Sequence, residues 1–182
     1  MIQAFPTFST ERLTFGPIGY QDVHHIFQLF SDPDTMKFDG GQTMSTLDEA
    51  QEFIQFYSVF RPEFPILRWA IRDKETGTFY GTGGFYKMDL KNEKAELGGE
   101  ILKNHWNKGI ATEAIKGMLA FGFEGANLNR ITALVSPKNS AAQALIKKSG
   151  FTYEGCLRQW ERWGTEWMDL TIYSLLKKEW QK

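Results

Sequence analysis

The stretch that decides the fold is "AELGGEILKNHWNKGIATEA", residues 95–114. Its first half alternates like a β-strand, and its second half opens an apolar helix. That helix starts on Asn107, Lys108, Gly109 and Ala111, a run with little side chain close to the backbone. A start so bare lets a ligand approach the amides. Free N–H groups and the helix dipole both favour an anion there.

In a regular strand, Glu96 and Glu100 share one face with Gly98 between them, while Ala95, Leu97, Gly99 and Ile101 share the other. The Gly98-Gly99 pair suggests either a bulge or a close approach of another backbone. A bulge would upset the alternation, so the spacing alone leaves open which Glu faces a cleft.

Working outward, "ERLTFGPIG" reads as a first strand. Tyr20 to Phe30 carries Val23, Ile26, Phe27 and Phe30 at helical spacing, and "SDPD" then breaks the chain. Ser45 or Thr46 caps a second helix with Ala50, Phe53, Ile54 and Tyr57 on its apolar face, ended by Pro62 and Pro65. "ILRWAIRD", "TFYGTGGFYKMD" and "AELGGEIL", joined by short turns, form an antiparallel meander. A helix from Gly109 to Phe123 follows, then the strand "RITALVS", a short helix "NSAAQALIKKSG" closed by Gly150, and a hairpin around Gly164. The passage from 95 to 136 is strand, helix, strand. That order predicts a parallel crossover with a ligand site at its strand ends.

Composition narrows the function. The chain has 182 residues, 42% hydrophobic and 24% charged, which suits one domain with a proper core. A net charge of −1, with scattered basic residues, argues against nucleic acid as a partner. No apolar run is long enough to span a bilayer, and "MIQAFPTFSTERL" lacks the pattern of a secretory signal. Cys156 is the single cysteine, which fits a reducing, cytoplasmic setting and reads as a small buried hydrophobe. His24, His25 and His105 do not form a metal-ligand spacing, so no metal is expected.

Three motifs together carry a family resemblance. These are "KAELGGEI", then W-x-K-G-x-A-T-E-A over residues 106–114, then N-x-x-x-x-x-L-x-x-x-x-G-F-x-x-E-G over residues 139–155. The combination resembles the GNAT acetyltransferases, and within them the branch named for the ribosomal-protein acetylases RimJ and RimL. The similarity runs from about Thr10 to Trp180. It implies a single α/β (α+β) GNAT domain over residues 1–182, with a mixed, mostly antiparallel sheet of about seven strands and four helices. A splayed parallel strand pair would hold acetyl-CoA as cosubstrate.

The resemblance also implies roles for particular residues. Asn107, Lys108, Gly109, Ile110, Ala111 and Thr112 would cradle the diphosphate. Asn107 stands where the branch usually has Gly, and Asn tolerates left-handed backbone angles. Ile101 and Leu102 would offer main-chain groups to the pantetheine arm. Asn139, also a natural helix cap, and Ser140 would reach the cofactor. A backbone N–H near the Gly pair would hold the oxyanion.

Acetyl transfer to an amine also needs a base, because a lysine-like amine has a pKa of about 10.4 and an α-amine about 8. Glu96, at a position where the branch carries Glu, is the first candidate. Glu100 is its partner or a ligand of the substrate ammonium. The usual general-acid positions hold Ala142 and Ile146 instead of Ser and Tyr, which leaves Ser140, Tyr153 and Tyr173 as outside candidates.

The expected activity is direct acetyl transfer to a peptide N-terminus or a small polyamine-like amine. Rival readings are a non-catalytic acyl-CoA sensor and an interaction module. The aromatic stretch "RQWERWGTEW", with Asp39, Glu161 and Glu166, would line an acceptor cleft, bind a cationic amine, or form a homodimer surface.

Overall fold

The computed structural model describes residues 5–40, 42–61 and 65–180. The first strand is preceded by a two-residue one. β1 (Phe8–Ser9) pairs antiparallel with β2 (Leu13–Pro17), which raises the strand count among the described residues to eight. A short 3-10 turn at Tyr20–Asp22 leads into α1 (Val23–Ser31).

"SDPD" does not simply break the chain, since a further short helix, α2 (Pro33–Met36), forms there. Asp32 accepts from the Asp34 N–H at 2.9 Å, and Pro33 sits at the helix start, where its fixed φ and missing N–H cost nothing. Among the described residues, five α-helices therefore replace the four expected.

α3 (Leu47–Tyr57) is capped by Thr46 rather than Ser45. It ends before either proline. Arg61 donates to the carbonyls of Gln55 and Phe56 and closes the helix, while Pro62 lies outside the described residues.

β3 (Leu67–Asp73), β4 (Phe79–Asp89) and β5 (Lys94–Ile101) form the antiparallel meander. α4 (Ile110–Ala120) then crosses over to β6 (Arg130–Val135), which lies parallel to β5. The α-helix is shorter than expected, because the chain widens into a π turn at Phe121–Gly125. There Gly122 runs so close to the sheet that a Cβ would meet Phe85 and Ile131 at 2.8 Å. α5 (Ser140–Lys148) is followed by β7 (Thr152–Trp163) and β8 (Glu166–Leu176), which form the hairpin with Gly164 at φ +60 in its turn. The sheet order is β1-β2-β3-β4-β5-β6-β8-β7.

The sheet buries both faces at its centre. On one side Phe15, Trp69, Phe85, Phe123 and Ile131 pack with α4. On the other, Ile26 and Leu29 of α1 and Ile54 of α3 cluster with Ala70 of β3. Burial of each such side chain contributes about 1.5–3 kcal/mol. β3 shows the division residue by residue. Leu67, Trp69 and Ile71 enter the first core, while Arg68 and Ala70 face the α1 and α3 side.

Candidate functional site

β5 and β6 are paired at only three positions, ending at Glu96↔Thr132. Beyond them β5 stays zipped to β4 through Gly81↔Ile101, and β6 stays zipped to β8 through Val135↔Thr171. Strands held on their outer sides and released on their inner ones must part. The gap widens into a cleft of about 640 Å³, walled by β5 residues 97–101, by Ala133, Val135 and Ser136, and by Ala111 and Ala114 of α4.

The Gly pair is not bulged. The register from Gly81↔Ile101 to Tyr86↔Glu96 is continuous, and the irregularity lies farther out, between Tyr86 and Asp89. The glycines serve close approach. A Cβ on Gly99 would sit 2.6 Å from the Thr82 carbonyl oxygen, and one on Gly98 would sit 3.0 Å from the Tyr86 ring. With alternation intact, both glutamates line the cleft.

At one end of the cleft lies the α4 start. Asn107 has φ +60 and Gly109 φ +77, so the chain makes two left-handed steps before the helix. α2, α3 and α5 are each capped by a side chain, but α4 is not. Its first amides therefore face outward with no carbonyl one turn back. Ala111 lines the cleft, Thr112 is half-buried, and the Ile110 side chain is buried in the core, leaving its N–H as the group at the mouth. Lys108 is exposed beside them.

A residue that the sequence reading passed over braces this turn. Arg12 donates to Glu113 at 2.6 Å and to the Lys108 carbonyl at 3.4 Å, and its guanidinium lies 3.4 Å from a Cβ built on Gly109. Small residues, left-handed turns and bare amides together fit a diphosphate such as that of acetyl-CoA.

The pantetheine assignment needs a correction. Ile101 lines the cleft, with its carbonyl accepting from the Trp106 indole N–H at 2.6 Å. Leu102 lies outside the cleft lining. Its N–H donates to the Tyr80 carbonyl and its own carbonyl accepts from His105 N–H, each at 2.8 Å, and its side chain is buried under α1 and α3.

Asn139 caps α5, its Oδ1 accepting from Ala142 N–H at 3.0 Å, and it lines the cleft. Its side-chain NH2 can donate to a ligand while the oxygen caps the helix. Ser140 is exposed and outside the lining. His105 packs tilted against the Tyr80 ring, with centroids 4.6 Å apart.

At the other end stand the carboxylates. Glu96 is partly exposed and paired with Lys87 at 3.0 Å. Glu100 is nearly buried. It accepts from Thr82 Oγ1 at 3.1 Å and is ion-paired with Arg68. Burial pushes its carboxyl up to about 7, against the pull of Arg68 and with the help of Asp39.

Arg68 is the main residue that the sequence reading missed. It is 5% exposed and bonded to Thr82, Tyr86 and Glu100. The rings of Phe30, Phe53, Tyr57 and Tyr86 surround it at 5.1–5.4 Å. One signal was available: a cation flanked by Leu67, Trp69, Ala70 and Ile71, the apolar run of the strand.

The remaining expectations divide. Trp163 lines the cleft and donates to Glu161 at 3.1 Å, whereas Trp160 and Trp167 are exposed outside it. Ala142 and Ile146 form apolar wall where a general acid was sought. None of the outside candidates lines the cleft: Tyr173 is buried with its hydroxyl donating to Gln143 at 2.9 Å, and Tyr153 is exposed on β7. Cys156 is exposed on β7 instead of buried. Among the described residues no helix is long and apolar enough to cross a membrane.

Comparison with known proteins agrees with this geometry. Residues 12–152 match the model of the acetyltransferase (GNAT) domain. The chain is 35% identical over 173 residues to the "uncharacterized N-acetyltransferase YoaA" of Bacillus subtilis, covering 95% of this chain and 98% of that one. It is 24% identical over 94 residues to the ribosomal-protein-serine acetyltransferase of Escherichia coli, 52% of each chain. The fold matches that of spermidine N-acetyltransferase from Vibrio cholerae, solved with CoA and spermine, at a TM-score of 0.81 and 21% identity over 93% of this chain and 98% of that one. A splayed parallel pair, an uncapped helix start at its mouth and a family match over most of the chain lead to one conclusion: this protein belongs to the GNAT acetyltransferase family, whose members use acetyl-CoA.

Proposed function

We propose that the protein moves the acetyl group of acetyl-CoA to a primary amine by direct attack in a ternary complex. The observation that carries this reading is the cleft itself. One continuous space joins the bare α4 amides to a nearly buried carboxylate whose proton affinity is matched to neutral pH.

In this reading residues 107–112 hold the diphosphate, and Ile101 and Asn139 border the pantetheine arm. The β5 edge beyond Glu96, released from the β6 ladder, supplies main-chain N–H to the thioester oxygen. Glu100, rather than the Lys87-paired Glu96, takes a proton from the acceptor ammonium. The neutral nitrogen then bonds to the acetyl carbon. The C–S bond breaks, and the proton shed by nitrogen passes through water to the CoA thiolate. The apolar wall at Ala142 and Ile146 is consistent with a thiolate that leaves without a protein acid.

The acceptor is a peptide N-terminus or a small polyamine-like amine. Asp39, Glu161 and Trp163 at the cleft support a cationic one. A homodimer through exposed Trp160 and Trp167, and a cytoplasmic setting in keeping with one unpaired cysteine, belong to the same reading. The absent acid specifically favours one alternative, an acyl-CoA-binding sensor.

The test is a panel of amines and short peptides with acetyl-CoA, read as release of CoA thiol. Turnover with any amine supports the enzyme. Calorimetric binding without thiol release from any of them supports the sensor. No binding at all would leave only an interaction module.

A further inference from the structure

Glu100 has neighbours of opposite charge. Its Oε2 receives Arg68 from β3 and Thr82 from β4, and Arg68 is itself fixed by a second pair of bonds to Thr82, at 2.8 and 3.0 Å, and by the Tyr86 hydroxyl. From the loop after α2, the Asp39 carboxyl reaches Glu100 within hydrogen-bonding range. Arg68 cannot swing away, because α1 and α3 close over it with Phe30, Phe53 and Tyr57. Asp39, by contrast, is exposed. A cation locked in an aromatic cage thus fixes one oxygen of the carboxyl, and a solvent-facing carboxylate in the same cleft lies beside the group.

We infer that Arg68 and Asp39 are opposed positioning residues for Glu100: Arg68 anchors the carboxylate and favours its charged form, while Asp39, a like charge beside it, favours its protonated form. This rests on the reading of Glu100 as the proton acceptor. The other ionisable groups around it do not compete for the role. Tyr86 is held neutral, since burial pushes its phenol up, and Tyr57 faces Arg68 from α3. Farther along the cleft Glu96 is engaged with Lys87, and Glu161 accepts from Trp163. Two like charges facing each other disfavour double ionisation, and an adjacent guanidinium does the reverse, each by about one pH unit or more.

The experiment titrates the Glu100 side-chain carbon by NMR in protein labelled at glutamate carboxyls, its signal assigned by its loss in Glu100→Gln. Asp39→Asn, a substitution at an exposed position, is expected to lower the midpoint. Arg68→Gln is expected to raise it, and Arg68→Lys, which restores the charge, to return it towards the parent value. The acidic limb of the pH–rate profile, measured with spermidine and with an N-terminal serine peptide as probe amines, is expected to move in the same directions while acetyl-CoA affinity stays constant. If Asp39→Asn leaves the midpoint in place or raises it, or if the limb ignores a midpoint that has moved, the inference fails. Absence of turnover with both amines would count against the acetyltransferase reading alone, because the titration needs no substrate.

Discussion

Two glutamates four residues apart share a strand face, yet their surroundings part them. Glu96 has an exposed lysine for company, while Glu100 has a caged arginine, a threonine and a neighbouring aspartate. The spacing of the pair was legible in the sequence, because a strand repeats every two residues and nothing bulges here. Which of the two burial would perturb was not legible, since Arg68 and Asp39 come from distant parts of the chain. We expect Glu100→Gln to lower kcat by about 10²–10⁴-fold with acetyl-CoA affinity unchanged, and Glu96→Gln to cost about tenfold or less. The sign with pH follows from the raised carboxyl. Glu100 accepts a proton only in its charged form, so activity should rise as pH passes about 7 from below, and stopped-flow thiol assays across that range will show whether it does.

The start of α4 is the element to which the proposal assigns cofactor binding. Its bareness could be read from Gly109 and Ala111, and the structure adds the two left-handed steps that turn its amides outward. Leu102 lies outside the cleft lining for a reason no motif displays: the chain turns into a 3-10 helix at Lys103–His105, with the Leu102 N–H donating to Tyr80 and its carbonyl accepting from His105. Gly109→Val places a β-branched residue at φ +77, and we expect acetyl-CoA affinity by calorimetry to fall at least about tenfold.

A second element-scale test concerns the hairpin. Arg130 on β6 holds Glu154 on β7 at 2.9 Å, and Ser174 on the intervening β8 donates to it at 2.7 Å. These contacts pull the Glu154 carboxyl down to about 2, so the stabilisation it contributes is present above its unfolded value and is lost as pH falls through about 2. Glu154→Gln should therefore lower Tm at pH 7 and make progressively less difference as the solution is acidified.

At the scale of the whole molecule, the order of elements was largely readable, because alternation and helical spacing are strong over long runs. The additions are small and local. Two-residue β1 is too short to show a period, and α2 arises from a cap and a proline in a segment that otherwise reads as a turn. The cleft is a product of topology: it exists because β5 and β6 are each fastened to an outer neighbour and to each other at only three positions. A ligand spanning that gap ties together β5, α4, β6 and α5, so it should stabilise the molecule as a unit. At a hundredfold excess over its Kd, acetyl-CoA should add about 2.7 kcal/mol and raise Tm by about 5–10 °C, measurable by scanning calorimetry. The central claim is met most directly by a crystal structure with acetyl-CoA: we expect the diphosphate on the amides of residues 107–112 and the thioester between the parted strands beside Glu100, and a diphosphate bound anywhere else would contradict it.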